Sequence, residues 1–111
     1  MIWDKVSRIY DFTETIYNGK VYQNLGKAVT AQIKQGDLVL ECACGTGAIS
    51  KCIAPKCRHL TATDFSRGML RQTAKNCRGY ENITIRRADM TQLKCRDNKY
   101  DKVVAGNVLH L

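Results

Sequence analysis

The sequence predicts an α/β fold built on a parallel sheet, and two observations lead to this prediction. Short strand-like runs recur along the chain from residues 38–42 onward, and the first of them is apolar without alternation, which is typical of a strand buried on both faces. Segments with one apolar helical face lie between these runs. Alternating strands and helices are typical of parallel sheets with right-handed crossovers. The 111 residues allow one domain at most.

The N-terminal part of the chain is predicted to be helical. Apolar residues follow helical spacing over residues 21–33, and the turn Gln35-Gly36-Asp37 ends this helix. An aromatic-rich segment precedes the helix and is broken at Asn18-Gly19. We therefore divide the chain into a helical lead-in, residues 1–36, and an α/β region, residues 37–111.

The α/β region contains four predicted strands with helices between them. The strands are residues 38–42, 59–63, 83–85 and 100–107. A short helix over residues 48–54 is predicted to stop at Pro55. A longer helix, capped by Ser66 and ended at Gly79, follows the second strand.

Composition and charge argue against several classes of protein. No apolar run approaches the ~20 residues of a membrane span, and the N-terminus lacks the features of a secretory signal, so a cytoplasmic location is predicted. The net charge of +8 is spread along the chain with no basic run longer than Arg86-Arg87, which favours a solvated basic surface over a nucleic-acid site. The six cysteines form no C-x-x-C pair or zinc spacing. We therefore predict no metal and interpret most cysteines as reduced packing residues.

A glycine-rich turn follows the first predicted strand. Such a turn lets backbone approach a ligand at the carboxyl edge of a parallel sheet, where nucleotide-type ligands bind. The dinucleotide pattern G-x-G-x-x-G aligns with Gly45, Gly47 and Ser50, so its third glycine is missing. An alternative pattern, an acid followed by alternating small residues, fits better. Its residues are Glu41, Ala43, Gly45 and Gly47.

This second pattern resembles the first motif of the class I S-adenosylmethionine-dependent methyltransferases, and the resemblance continues in order over residues 10–111. Asp64 is similar to the family acid that ends the second strand and binds both ribose hydroxyls. Phe65 and Met69 would then flank the adenine. Asp89 and Met90 resemble the segment after the third strand that meets the adenine amino group and ring.

Positions at both ends of the chain extend the resemblance. Asn107 is similar to the residue at the end of the fourth strand, beside the methionine part and the substrate. Tyr10 and Tyr17 resemble lead-in aromatics that cover the cofactor. The resemblance implies S-adenosylmethionine as cofactor and a Rossmann-like, doubly wound parallel sheet with strand order 3-2-1-4. It gives no catalytic residue. His110 is a candidate base because histidine titrates near neutral pH, although a packing or surface role explains it equally well.

The predicted function is methyl transfer to a small-molecule acceptor. The fourth strand ends Asn107-Val108-Leu109-His110 rather than in Asn-Pro-Pro-aromatic, which argues against DNA amino groups or protein amides as acceptors. The family fold has seven strands, whereas the sequence supplies four. We therefore expect an incomplete sheet in a truncated chain, with weak or absent turnover by the chain alone.

Two alternatives remain open at the level of sequence. The first is a non-enzymatic nucleotide-binding half-domain that self-associates through the open edge of its fourth strand. The second is a nicotinamide-dependent enzyme, which Ser50 disfavours because that residue takes the place of the third glycine.

Overall fold

The fold is a parallel sheet of five strands with helices packed against it. The computed structural model describes residues 9–10, 21–42, 44–89 and 99–105, with the backbone alone for residues 9–10 and 21–25. The elements are β1 (Ile9–Tyr10), α1 (Val21–Thr30), β2 (Leu38–Glu41), α2 (Ser50–Ile53), a 3-10 turn (Ala54–Lys56), β3 (His59–Asp64), α3 (Arg67–Asn76), β4 (Ile83–Arg87) and β5 (Lys102–Val104).

The strand order is β1-β5-β2-β3-β4, and every neighbouring pair is parallel. Strands β2 to β5 are the four predicted strands, and their order is the predicted 3-2-1-4. The predicted Rossmann-like α/β fold is therefore confirmed. Because β2 has β3 on one side and β5 on the other, its carboxyl end lies where the winding direction reverses, which is the usual ligand position in such sheets.

Strand β1 is an element that the sequence did not predict. Its residues Ile9 and Tyr10 pair with Val103 and Val104 of β5. The expectation that the fourth predicted strand lies at an open edge is therefore wrong over these two residues. A strand this short cannot show a hydrophobic period of its own, so the pattern along the lead-in could not separate it from a helix.

Some boundaries differ from the predicted ones. The α-helix before Pro55 ends at Ile53, in agreement with the predicted stop, and Pro55 itself lies in the first turn of the following 3-10 segment, where its missing N–H costs no hydrogen bond. Strand β4 runs two residues further than predicted, to Arg87. Within the described part of the last predicted strand, only Lys102–Val104 are extended and paired with β2.

The core lies on the face of the sheet that α1, α2 and α3 cover. Strand β2 is buried at three successive positions, as expected for a strand covered on both faces. The buried cluster on the helical side contains Val29, Val39, Ile49, Ile53, Leu60, Ala62 and Val104, among others. Among the described residues, no helix has the length and apolar character to cross a membrane.

A buried ion pair links the start of β2 to β5. The Lys102 ammonium lies 2.7 Å from Oδ2 of Asp37, and both side chains are almost completely buried. Burial by itself raises the pKa of Asp37, but the Lys102 ammonium and the Lys34 N–H outweigh it and leave that pKa below its usual value. The same carboxylate accepts the Lys34 N–H at 2.8 Å and so also closes the turn after α1.

Candidate functional site

The glycine loop, which we define as residues 44–47, lies at the carboxyl edge of the sheet directly after β2. The Cys44 N–H donates to the Thr63 carbonyl at 2.8 Å, and the Gly47 N–H donates to the Cys44 carbonyl at 3.1 Å. Gly45 and Gly47 have φ values of 60° and 86°. Both residues therefore occupy the left-handed region that favours glycine.

Asp64, at the end of β3, links the glycine loop to the start of α3. Its Oδ2 accepts the Gly45 N–H at 2.9 Å, and its Oδ1 accepts the Ser66 N–H at 2.9 Å. A carboxylate oxygen has two lone pairs. Each oxygen of this half-buried side chain can therefore accept one further hydrogen bond, for example from a ligand hydroxyl.

Glu41, the last residue of β2, lies inside the fold. Its carboxyl group accepts a hydrogen bond from the Ser50 hydroxyl at the start of α2, and its backbone carbonyl accepts one from Thr63 Oγ1 at 2.8 Å. Burial raises the pKa of Glu41 to about 8, the Ser50 hydrogen bond opposes this shift, and the charge of Asp64 adds to it. The two predicted acids are thus close enough to interact, but only Asp64 is partly open to solvent.

Phe65 and Met69 present apolar surface next to Asp64. They are 62% and 41% exposed, which is unusual for large apolar side chains. Ser66 caps α3 as predicted, because its hydroxyl accepts the Met69 N–H at 3.2 Å. The Arg87 guanidinium lies 4.7 Å from the centroid of the Phe65 ring, and its Nε–H donates to the Phe65 carbonyl at 3.0 Å. Arg87 therefore fixes the position of an exposed aromatic ring.

The other predicted site residues are only partly within the described structure. Asp89 is half-buried and follows β4, where the Ala88 N–H still donates to the Asp64 carbonyl at 3.0 Å. Tyr10 contributes backbone to β1. The positions outside the described residues are Tyr17, Ala43, Met90, Asn107 and His110.

The described cysteines suit packing rather than nucleophilic chemistry. They are free thiols, and all but Cys52 are buried. Burial raises the pKa of Cys44 to about 12 and that of Cys57 to about 11. A thiol with such a pKa is protonated at neutral pH and is a poor nucleophile. The described residues contain no group of three potential metal ligands from His, Cys, Asp and Glu.

Besides Arg87, three polar residues of the site were not found from the sequence. Ser50 was considered only as a missing glycine, although its hydroxyl bonds to Glu41. Thr73 Oγ1 donates to the Gly45 carbonyl at 2.8 Å, and Asn76 Nδ2 donates to the Thr46 carbonyl at 2.7 Å. No local spacing in the sequence connects a helix to a loop almost 30 residues earlier.

Comparison with known proteins assigns the chain to a family. The sequence profile described as a methyltransferase domain matches residues 39–111. A demethylmenaquinone methyltransferase from Clavibacter sepedonicus is 31% identical over 105 residues, which cover 92% of this chain and 42% of that protein. The chain belongs to the class I S-adenosylmethionine-dependent methyltransferases.

Solved structures show the same fold. The magnesium protoporphyrin IX methyltransferase of Synechocystis PCC 6803, with bound S-adenosylhomocysteine, matches with a TM-score of 0.69 and 25% identity over 78% of this chain and 42% of that chain. A dimethyladenosine transferase from Plasmodium falciparum matches with a TM-score of 0.66 and 27% identity over 79% of this chain and 31% of that chain. The chain thus spans about two fifths or less of the length of these relatives.

Proposed function

We propose that the chain binds S-adenosylmethionine at the carboxyl edge of its sheet, and that the protein transfers the methyl group to a small-molecule acceptor. The observation that carries the binding proposal is the geometry of Asp64. Its carboxylate is oriented by the Gly45 and Ser66 N–H groups and keeps a lone pair on each oxygen. Such a carboxylate can accept both hydroxyls of a ribose.

The residues around Asp64 suit an adenosine ligand. The exposed Phe65 ring offers an apolar surface against which a purine can stack. Gly45 has no Cβ, so a ligand can approach its backbone closely. Ser50 replaces the glycine that a dinucleotide pattern requires, and its hydroxyl is bound to Glu41. Ser50 therefore favours S-adenosylmethionine over a nicotinamide dinucleotide, since both ligands contain the adenosine that the other features suit.

The proposed role of the protein is to orient the reactants and to exclude water. The sulfonium of S-adenosylmethionine supplies an activated methyl group. Asp64 and Phe65 would orient the nucleoside, which lowers the entropic part of the barrier. Glu41 is mostly protonated at neutral pH in the free chain. A positively charged group of a ligand bound beside Glu41 would lower its pKa and favour the carboxylate form. His110 remains the candidate general base for deprotonating an acceptor.

The proposed methyl acceptor is a small molecule. A small molecule is supported by two relatives whose names specify such acceptors, demethylmenaquinone and magnesium protoporphyrin IX. The dimethyladenosine transferase is named for a nucleoside, so acceptors differ among proteins with this fold. We also propose a cytoplasmic location, which is supported by the free thiols of the described cysteines, since disulfides are rare in the cytosol.

Calorimetric titration with S-adenosylhomocysteine tests the binding proposal. We expect saturable binding by the unaltered chain and binding about ten- to a hundredfold weaker for Asp64→Asn, because hydrogen bonds to a charged group are lost. Glu81→Gln, which neutralises an exposed acid just before β4, should bind like the unaltered chain. Because the chain spans 42% of its curated relative, the test measures binding rather than turnover.

The same titration with NAD separates the alternatives. We expect no competition between NAD and S-adenosylhomocysteine at equal concentrations. Preferential binding of NAD, or equal affinity of Asp64→Asn and the unaltered chain for S-adenosylhomocysteine, contradicts the proposal.

A further inference from the structure

Helix α3 contacts both parts of the proposed binding site. Its first turn carries Met69 and begins two residues after the exposed Phe65. Its last two turns pack on the glycine loop, so that a Cβ placed on Gly47 would lie 3.0 Å from Thr73 Cα. A single helix therefore borders both the apolar surface and the loop.

The carbonyl groups of the glycine loop are held from the α3 side. The carbonyls of residues 45–47 accept hydrogen bonds from the side chains of Thr73, Asn76 and Cys77 in turn, at 2.8, 2.7 and 3.9 Å. The first two distances are those of good hydrogen bonds, whereas the thiol contact is weak. Thr73 is fully buried and Asn76 is exposed, so these two bonds are made in different solvent environments.

These hydrogen bonds set the direction of the loop peptides. Within a trans peptide, the C=O and the following N–H point in opposite directions. Carbonyls of Gly45 and Thr46 that point toward α3 therefore direct the N–H groups of Thr46 and Gly47 away from it. The Gly47 N–H is used in the turn, where it donates to the Cys44 carbonyl at 3.1 Å. The bond from Thr73 thus fixes the orientation of the Thr46 N–H.

We infer that Thr73 and Asn76 are positioning residues, which hold the glycine loop in its binding conformation through the Gly45 and Thr46 carbonyls. This inference rests on the proposed function, because it assigns the two residues a role in binding S-adenosylmethionine. Neither residue needs to contact the ligand. Their contribution is to remove alternative loop conformations before the ligand binds, which lowers the ordering cost of binding.

The test compares four variants of the chain. Thr73→Val keeps the shape of the side chain and removes its hydroxyl, whereas Thr73→Ser keeps the hydroxyl. Asn76→Ala removes the amide donor at an exposed position, and Gln72→Ala removes an exposed amide elsewhere on α3. Two quantities are measured for each variant: affinity for S-adenosylhomocysteine, and hydrogen exchange of the amides of residues 45–47 and Lys51 in the free chain. The Lys51 N–H is included because it donates to the Gly47 carbonyl at 3.1 Å.

We expect Thr73→Val and Asn76→Ala each to bind about three- to tenfold more weakly, the fold-change of one lost hydrogen bond. Both variants should also exchange the loop amides faster. Thr73→Ser and Gln72→Ala should match the unaltered chain in both measurements. Unchanged affinity and unchanged exchange in a folded Asn76→Ala variant would overturn the inference, even if Thr73→Val fails to fold.

The exchange measurement separates this inference from the proposed function. If the unaltered chain does not bind S-adenosylhomocysteine, the proposed function fails, and the exchange rates alone show whether α3 holds the loop. If the unaltered chain binds and the variants match it in both measurements, the proposed function stands and the positioning role is refuted.

Discussion

Glu41 is a carboxyl group that folding removes from water and supplies with a neutral hydrogen-bond donor, the Ser50 hydroxyl. Burial disfavours the charged form, and the neighbouring charge of Asp64 acts in the same direction. The result is a pKa raised to about 8. The residue that the sequence pattern identifies as the motif acid is therefore mostly protonated in the free chain at neutral pH.

This raised pKa predicts a specific dependence of stability on pH. Glu41 has a pKa near 4.5 in the unfolded chain and about 8 in the folded chain. At a pH between these two values, Glu41 is therefore deprotonated in the unfolded state but still protonated in the folded state. The stabilisation from this group is thus complete below pH 4.5 and is lost as the pH rises to 8, by at most about 1.4 kcal/mol per pH unit. Glu41→Gln keeps an oxygen acceptor for Ser50 and removes the titration.

Urea denaturation at several pH values between 5 and 9 measures this effect. We expect the free energy of unfolding of Glu41→Gln to exceed that of the unaltered chain increasingly toward pH 8. Glu81→Gln, at an exposed position, serves as the control and should show no such trend. A constant difference between Glu41→Gln and the unaltered chain across this range would show that Glu41 does not titrate as described.

At single positions, the sequence identified residue types but not their partners. Asp64 could be placed at the carboxyl edge because it ends an apolar run that forms a strand. Its hydrogen bonds to the Gly45 and Ser66 N–H groups depend on how β3 lies against the loop, and no local pattern encodes that distance. Arg87 was missed for the same reason, because its contact with Phe65 requires β4 to extend two residues further than the apolar pattern indicated.

At the scale of secondary-structure elements, the contact between the glycine loop and α3 restricts which residues can occupy the loop. Gly47 has a φ of 86°, and a Cβ there would approach Thr73 atoms at 3.0 to 3.2 Å. Gly79, after α3, has a φ of 100° but open space around its Cα. The two glycines thus share the left-handed conformation and differ in packing.

Alanine substitutions at these two glycines should separate the cost of a left-handed backbone from the cost of a steric clash with α3. We expect Gly79→Ala to destabilise the chain by about 1–2 kcal/mol, the cost of a left-handed alanine. Gly47→Ala should cost a further ~1–3 kcal/mol because Thr73 backbone must also move. Chemical denaturation of both variants provides the measurement. Equal losses would mean that the loop does not pack on α3 as closely as the structure shows.

The elements themselves were largely predictable, for physical reasons that also explain the exceptions. Strand β2 carries an apolar run because it is covered on both faces, whereas β4 alternates and is only partly buried. Strand β1 has two residues, too few for a pattern, and its pairing depends on β5 at the other end of the chain. Pro55 lies beyond α2, as predicted, and it fits into the 3-10 turn that follows because the first turn of a helix does not need its N–H.

At the scale of the whole molecule, a buried ion pair joins two strands that are far apart in the sequence. Asp37 and Lys102 are 65 residues apart in the sequence, yet they form a buried pair at 2.7 Å between the start of β2 and β5. Each would be costly to bury alone. The sequence could not predict this pair, because in isolation Lys102 resembles a surface lysine at the start of a strand.

The proposed S-adenosylmethionine site also depends on the whole fold, since it combines residues of β2, β3, α3 and β4 at one edge of the sheet. A crystal structure of the chain with S-adenosylhomocysteine tests it most directly. We predict that the ribose hydroxyls lie within hydrogen-bonding distance of the Asp64 carboxylate, with the adenine beside Phe65 and the glycine loop in its present conformation. A ligand bound elsewhere, or an adenosine that leaves Asp64 without contact to the ribose, would contradict the account.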